Sequence, residues 1–210
     1  LVIGIGLAAI ATGSWAGGRA ADLVAPRRSL GPLLAISGVV VAVTPVSVRG
    51  AGAAASGGTD ASLVLGVAAL TLFVPAALLS AVTPMVTKLR LTDLGETGTV
   101  VGRLSGLSTI GGIAGTVLTG FVLISTVPVS VILVGLGLLL VVAAALVELR
   151  VRGWRSAVAP AALVVLGGLV TLVAPDECDA ETAYHCAVVS VDPERPSGRV
   201  LELDALRHSY

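Results

Sequence analysis

Charge is the scarcest thing in this chain. Of 210 residues, 13 are Lys or Arg and 13 are Asp or Glu, 12% in all, about half the share of a soluble domain. The charges are clustered, so long stretches carry none, and the mean hydropathy is +1.01. Such stretches cannot lie in water as single layers, which excludes an ordinary soluble fold and points to an all-α helical membrane bundle. The balance of zero gives no basic excess for nucleic acid, so the expected partner is the lipid bilayer. Only two cysteines are present, Cys178 and Cys186, both close to the C-terminal end.

Six apolar runs remain, at about 1–15, 30–46, 63–82, 100–124, 129–147 and 158–173. Most approach the 17–25 residues that cross a hydrocarbon core of about 30 Å. Together they predict a transmembrane domain over 1–174. The first run is short, with no initiator Met and no basic leader, which excludes a good signal peptide. It reads as a helix whose beginning is cut off, with at least one further span before it.

The basic residues fall in alternate loops. Arg19, Arg27 and Arg28 follow the first run, Lys88 and Arg90 the third, and Arg150, Arg152 and Arg155 the fifth; Arg103 lies at the edge of the fourth. Loops after the second and fourth hold only Arg49. Lys/Arg excess marks the cytoplasmic side. The expectation is a multi-pass protein of the plasma membrane whose tail, opening with Asp176, Glu177, Asp179 and Glu181, lies outside. Trp15 and Trp154 fall near the inner interface, where indole rings favour the headgroup layer.

The interiors of runs one, two, three, five and six lack every ionisable residue. Ion-coupled transport generally uses one, so this absence weighs against a transporter. Run four instead shows small residues four apart: Gly102 and Gly106 in one row, Ser108, Gly112, Thr116 and Gly120 in another. Lipid tails are as apolar as leucine, so membrane helices associate through close backbone approach at such rows. The expected role is helix packing, with self-association of the protein through this seam; a substrate path lined by small residues is the alternative. Pro75 and Pro84 bracket the end of run three and predict a break there, or a hinge.

The tail, 175–210, changes character. In "CDAETAYHC", an outside location permits a Cys178–Cys186 disulfide, worth about 2.5 kcal/mol by loop closure. Free thiols are the alternative. His185 raises a metal site as a third, but the three residues lack regular zinc spacing, and no metal is expected. Ala187, Val189 and Val191 alternate on one face of a strand. "DPERPSG" supplies turn residues, and Leu201 and Leu203 then alternate against Val200, Glu202 and Asp204. This is a β-hairpin signature.

The stretch "ETAYHCAVVSVDPERPSGRVLELDALRHSY" resembles the N-terminal β-hairpin region of spermidine synthases. "GGRAAD", "TPMVTKLRL" and "GRLSGLSTIGGIAGTVLTGFVLI" resemble the membrane half of fused transporter-like (major-facilitator-like) and spermidine synthase-like proteins. The resemblance implies a parent that carries a Rossmann-like domain after the hairpin, binds a nucleoside similar to decarboxylated S-adenosylmethionine, and transfers an aminopropyl group. No Gly-rich nucleotide turn follows a strand here, so the sequence in hand is expected to hold no catalytic residue and no cofactor, and to be inactive alone. His208 stands where the family has a substrate-contacting Gln, and Ala205 where it has a Gly. Imidazole presents its donor and acceptor in a different geometry from an amide, which puts polyamine specificity in doubt. Half of a secondary transporter or exporter, or a structural anchor for an outer domain, are the rival readings.

Overall fold

The computed structural model describes residues 2–55, 61–91, 93–151, 162, 165, 167–169, 179–181, 186–191, 198–203 and 206–209. Up to residue 151 the described residues are mainly helical, and those from Ala180 onward form a small antiparallel sheet. Helix α1 (Val2–Leu23) leads through a two-residue joint to α2 (Pro26–Ala55). Pro26 opens α2 because a first helical residue needs no N–H partner and its fixed φ is already helical. Helix α3 (Ala61–Arg90) runs unbroken through Pro75 and Pro84. The expected break between them is not there, because the helix tolerates the two missing N–H donors and continues to Lys88 and Arg90.

The Asp93 carboxylate accepts from the Gly95 N–H at 3.0 Å. This starts a 3₁₀ turn (Leu94–Glu96) that leads into α4 (Thr97–Val117). Helix α4 continues as a π-helical segment (Leu118–Leu123) and a last short turn, α5 (Ile124–Thr126). Val127 is extended, with φ −138° and ψ 139°, as a residue before proline prefers. Pro128 then precedes α6 (Val129–Val151).

Among the described residues, four stretches are long and apolar enough to cross a membrane: Pro26–Gly50, Ala69–Arg90, Thr97–Thr126 and Val129–Val151. The expected six are therefore not all found. Helix α1 has the length, but Ser14, Trp15 and Arg19 dilute its second half. Most of the sixth expected span lies outside the described residues; 167–169 are helical, with Gly167 packed towards Val43 of α2 and Gly168 towards Val134 of α6.

Packing follows glycine. A Cβ on Gly13 would fall on the backbone of Ala77, and one on Gly17 would lie 2.5–2.7 Å from Ala81. The two glycines are four apart, as are the two alanines, so a glycine row on α1 meets an alanine row on α3. Helices α2 and α6 cross the same way: a Cβ on Gly38 would lie 2.7 Å from the Gly137 carbonyl oxygen, and one on Gly137 would lie 2.8 Å from Ala42 Cβ. These approaches are the small-residue packing that lipid selects for. Helix α2 also packs along α3, joining the two pairs. Hydroxyls inside the helices are satisfied locally, as where Ser37 donates to the Leu33 carbonyl at 2.7 Å and Thr44 to that of Val40 at 2.8 Å.

The sheet has four strands in sequence order, β1 (Ala180–Glu181), β2 (Cys186–Val191), β3 (Arg199–Leu203) and β4 (Leu206–Ser209). The β2–β3 register sets Ala187 opposite Leu203 and Val189 opposite Leu201. In sequence these residues alternate on one face of each strand separately; the register brings the two faces together. Val200, on the other face, is fully buried. The expected hairpin is thus present and gains a strand on each side.

Candidate functional site

Helix direction alternates, so the C-terminal ends of α1, α3 and α6 meet the N-terminal end of α2. This end carries Arg19, Asp22, Arg27, Arg28, Lys88, Arg90, Glu148 and Arg150 and is the basic end of the bundle. Two features there join residues far apart in sequence.

The first is a cleft of about 580 Å³ between α1 and α3. Helix α1 lines it with Ser14, Gly18, Ala21 and Asp22; α3 and the residue after it supply Thr83, Pro84, Thr87, Lys88 and Leu91. Ser14, Gly18 and the adjacent pair Ala21 and Asp22 are otherwise three, four, seven or eight apart, so they share one broad face of α1. The Lys88 ammonium and the Asp22 carboxylate form an ion pair across the mouth, with side chains 45% and 75% exposed. The Thr87 hydroxyl donates to the Thr83 carbonyl at 2.9 Å and keeps its oxygen as an acceptor towards the cleft. One position round α1 from Ser14, exposed Trp15 carries the Arg19 guanidinium 5.8 Å from its ring centre.

The second is Glu148. The apolar run that predicts a fifth span stops at residue 147, but α6 continues to Val151 and takes Glu148 into the bundle, where it is 3% exposed. Gly31 of α2 makes room for it. A Cβ on Gly31 would lie 2.7 Å from Glu148 Cγ and 2.9 Å from Cδ. The carboxyl group therefore lies beside the second turn of α2, near the positive end of that helix dipole. Sequence reasoning passed over this group because it sits one residue beyond the uncharged run. The signal available was Gly31 preceding Pro32, which leaves a notch in α2.

A second cleft, of about 280 Å³, lies between α2 and α3 away from the basic end. Its lining is Val39, Val40, Val43, Thr44, Ser47, Leu70, Thr71, Val74 and Pro75. The Thr44, Ser47 and Thr71 hydroxyls each donate to a carbonyl four residues back, so the lining is effectively aliphatic.

The residues singled out in sequence lie elsewhere. Gly102, Gly106, Gly112 and Gly120 have no described atom within 4 Å of where a Cβ would sit, and no residue of α4 is buried. Ser108 and Thr116 are on the same exposed helix, Thr116 bonding the Gly112 carbonyl at 2.8 Å. The seam is intact but meets no other described part of this chain.

His208 is on β4. Leu201 pairs with Ser209 and Glu202 with Arg207, so two steps on β4 oppose one on β3 and His208 is the extra residue of a β-bulge.

Cys178 lies outside the described residues, so the expected pairing with Cys186 does too. Among the described residues, no group of three or more His, Cys, Asp or Glu is placed to hold a metal ion. Comparison with known proteins finds no match to any family model, any curated protein or any solved structure.

Proposed function

We propose that this chain is the membrane-embedded part of a spermidine synthase-like protein, its helices carrying a sheet that belongs to the synthase-like part. The observation that carries the reading is the β2–β3–β4 meander with a bulge at His208. In this reading His208, at the register shift of the sheet, stands where the resembled family has its substrate-contacting Gln. The orientation in this reading follows the arginines, with the basic end in the cytoplasm and the sheet outside.

The test is aminopropyl transfer from decarboxylated S-adenosylmethionine to a diamine, in membranes carrying the protein as its gene encodes it. Turnover that falls with His208→Ala is expected. Absence of both turnover and nucleoside binding overturns the reading. Orientation is tested by labelling Cys178 and Cys186 on intact cells with an impermeant maleimide, with and without reductant. Labelling only after permeabilisation overturns it.

Glu148 favours a second reading, a transporter of small cations. A carboxyl group buried in a membrane helix is costly to keep and commonly marks an ion path. Cation flux in proteoliposomes, lost in Glu148→Gln with the fold retained, would support this reading over the first.

A further inference from the structure

We propose that the α1–α3 cleft at the basic end binds a phospholipid whose headgroup carries both a phosphate and a primary ammonium. The inference goes beyond the synthase-like reading and rests only on α3 crossing a bilayer with α1 packed along it.

Three observations converge on it. The first is depth. Trp15 is exposed on α1 beside the cleft and Arg19 covers its ring. Indole and guanidinium side by side belong at the headgroup layer, so the cleft opens where lipid headgroups are.

The second is charge. The mouth holds one carboxylate and one ammonium, Asp22 and Lys88, both accessible. A purely anionic headgroup would meet Asp22 as a like charge. A zwitterionic one meets both partners. Lys88 has three donors and an ionised Asp22 about four acceptor sites. Their mutual bond therefore leaves donors for a phosphate and acceptors for an ammonium.

The third is the wall. Gly18, Ala21, Pro84 and Leu91 offer apolar surface, which suits the glycerol and upper acyl region of a lipid. The Thr87 oxygen adds an acceptor for an N–H. A choline headgroup has no N–H to donate, so the cleft discriminates between the two common zwitterionic lipids. One charge-assisted hydrogen bond is worth about tenfold in affinity.

The probe is phosphatidylethanolamine against phosphatidylcholine at equal mole fraction. Purified protein is equilibrated in mixed micelles of the two, and retained lipid is read by native mass spectrometry. Phosphatidylethanolamine is expected in about tenfold excess on the wild type, and near parity on Asp22→Asn. Gly18→Leu fills the cleft and removes neither charge; among the described residues, a Cβ on Gly18 would meet Pro84 Cβ of α3 at 3.9 Å. It is expected to reduce retention of both lipids at the site while helix content is unchanged.

Equal retention on the wild type overturns the proposal, as does an undiminished preference in Asp22→Asn. Phosphatidylglycerol outcompeting phosphatidylethanolamine would mean a simple cationic patch and overturns it too. Competition by free phosphoethanolamine at the same concentration would identify a soluble ligand and overturn the lipid assignment. None of these outcomes bears on aminopropyl transfer, so failure here leaves the synthase-like reading standing.

Discussion

Helices α1 and α4 carry the same sequence device and use it differently. Gly13 and Gly17 on α1 are pressed against Ala77 and Ala81, whereas Gly102, Gly106, Gly112 and Gly120 on α4 have no described neighbour within 4 Å of the Cβ position. Spacing by four tells which face of a helix admits a close neighbour. It does not tell which neighbour. On α1 the complement lies on α3, more than 60 positions along the chain, and is an alanine row that no sequence pattern links to it.

The contrast sets an order of expected effects. Gly17→Leu breaks it most strongly: the new side chain must displace the Ala81 backbone, and overpacking of this kind costs about 1–3 kcal/mol or more. Unfolding in mixed micelles, followed by circular dichroism, measures it. A variant as stable as wild type would show that α1 and α3 do not pack at this row.

Gly31→Val should cost a similar amount, about 1–3 kcal/mol, but through a side chain. Combining it with Glu148→Ala should therefore recover part of the loss, with a coupling of about 0.5–3 kcal/mol in a double-mutant cycle. Additive losses would separate the two residues.

Lys88→Met removes a well-exposed ion pair and should cost about 0–1 kcal/mol. The loss should shrink further in 1 M salt, read by the same unfolding assay.

Gly112→Leu sharpens the comparison from the other side. It should change the unfolding free energy of the chain by no more than about 0.5 kcal/mol. A larger loss at high protein-to-detergent ratio than at low would reveal association through α4.

How much could be read in advance differs by element. Helix extents were legible where uncharged runs are long. They failed at polar ends: α6 holds Glu148 because its partner helix has a glycine there, and α3 ignores two prolines. The hairpin was legible because a period of two fixes the face of each strand; the register that sets Val189 opposite Leu201 was not. Nor was the bulge at His208, since Leu206–Ser209 gives no sign of an extra residue. The Asp22–Lys88 pair was hidden for a simpler reason. Its residues are 66 apart in sequence, and only the crossing of α1 and α3 brings them together.

The π-helical segment bears on anything that would lie along α4. Its wider turn holds back the helix by about one residue of phase, roughly 100°. The lag accumulates across Leu118–Leu123, so the face that carries the rows from Gly102 to Gly120 is turned aside only beyond Leu123. A straight rod following them would lose its track there, so a mate for this helix must end or cross before that point, or bend with it.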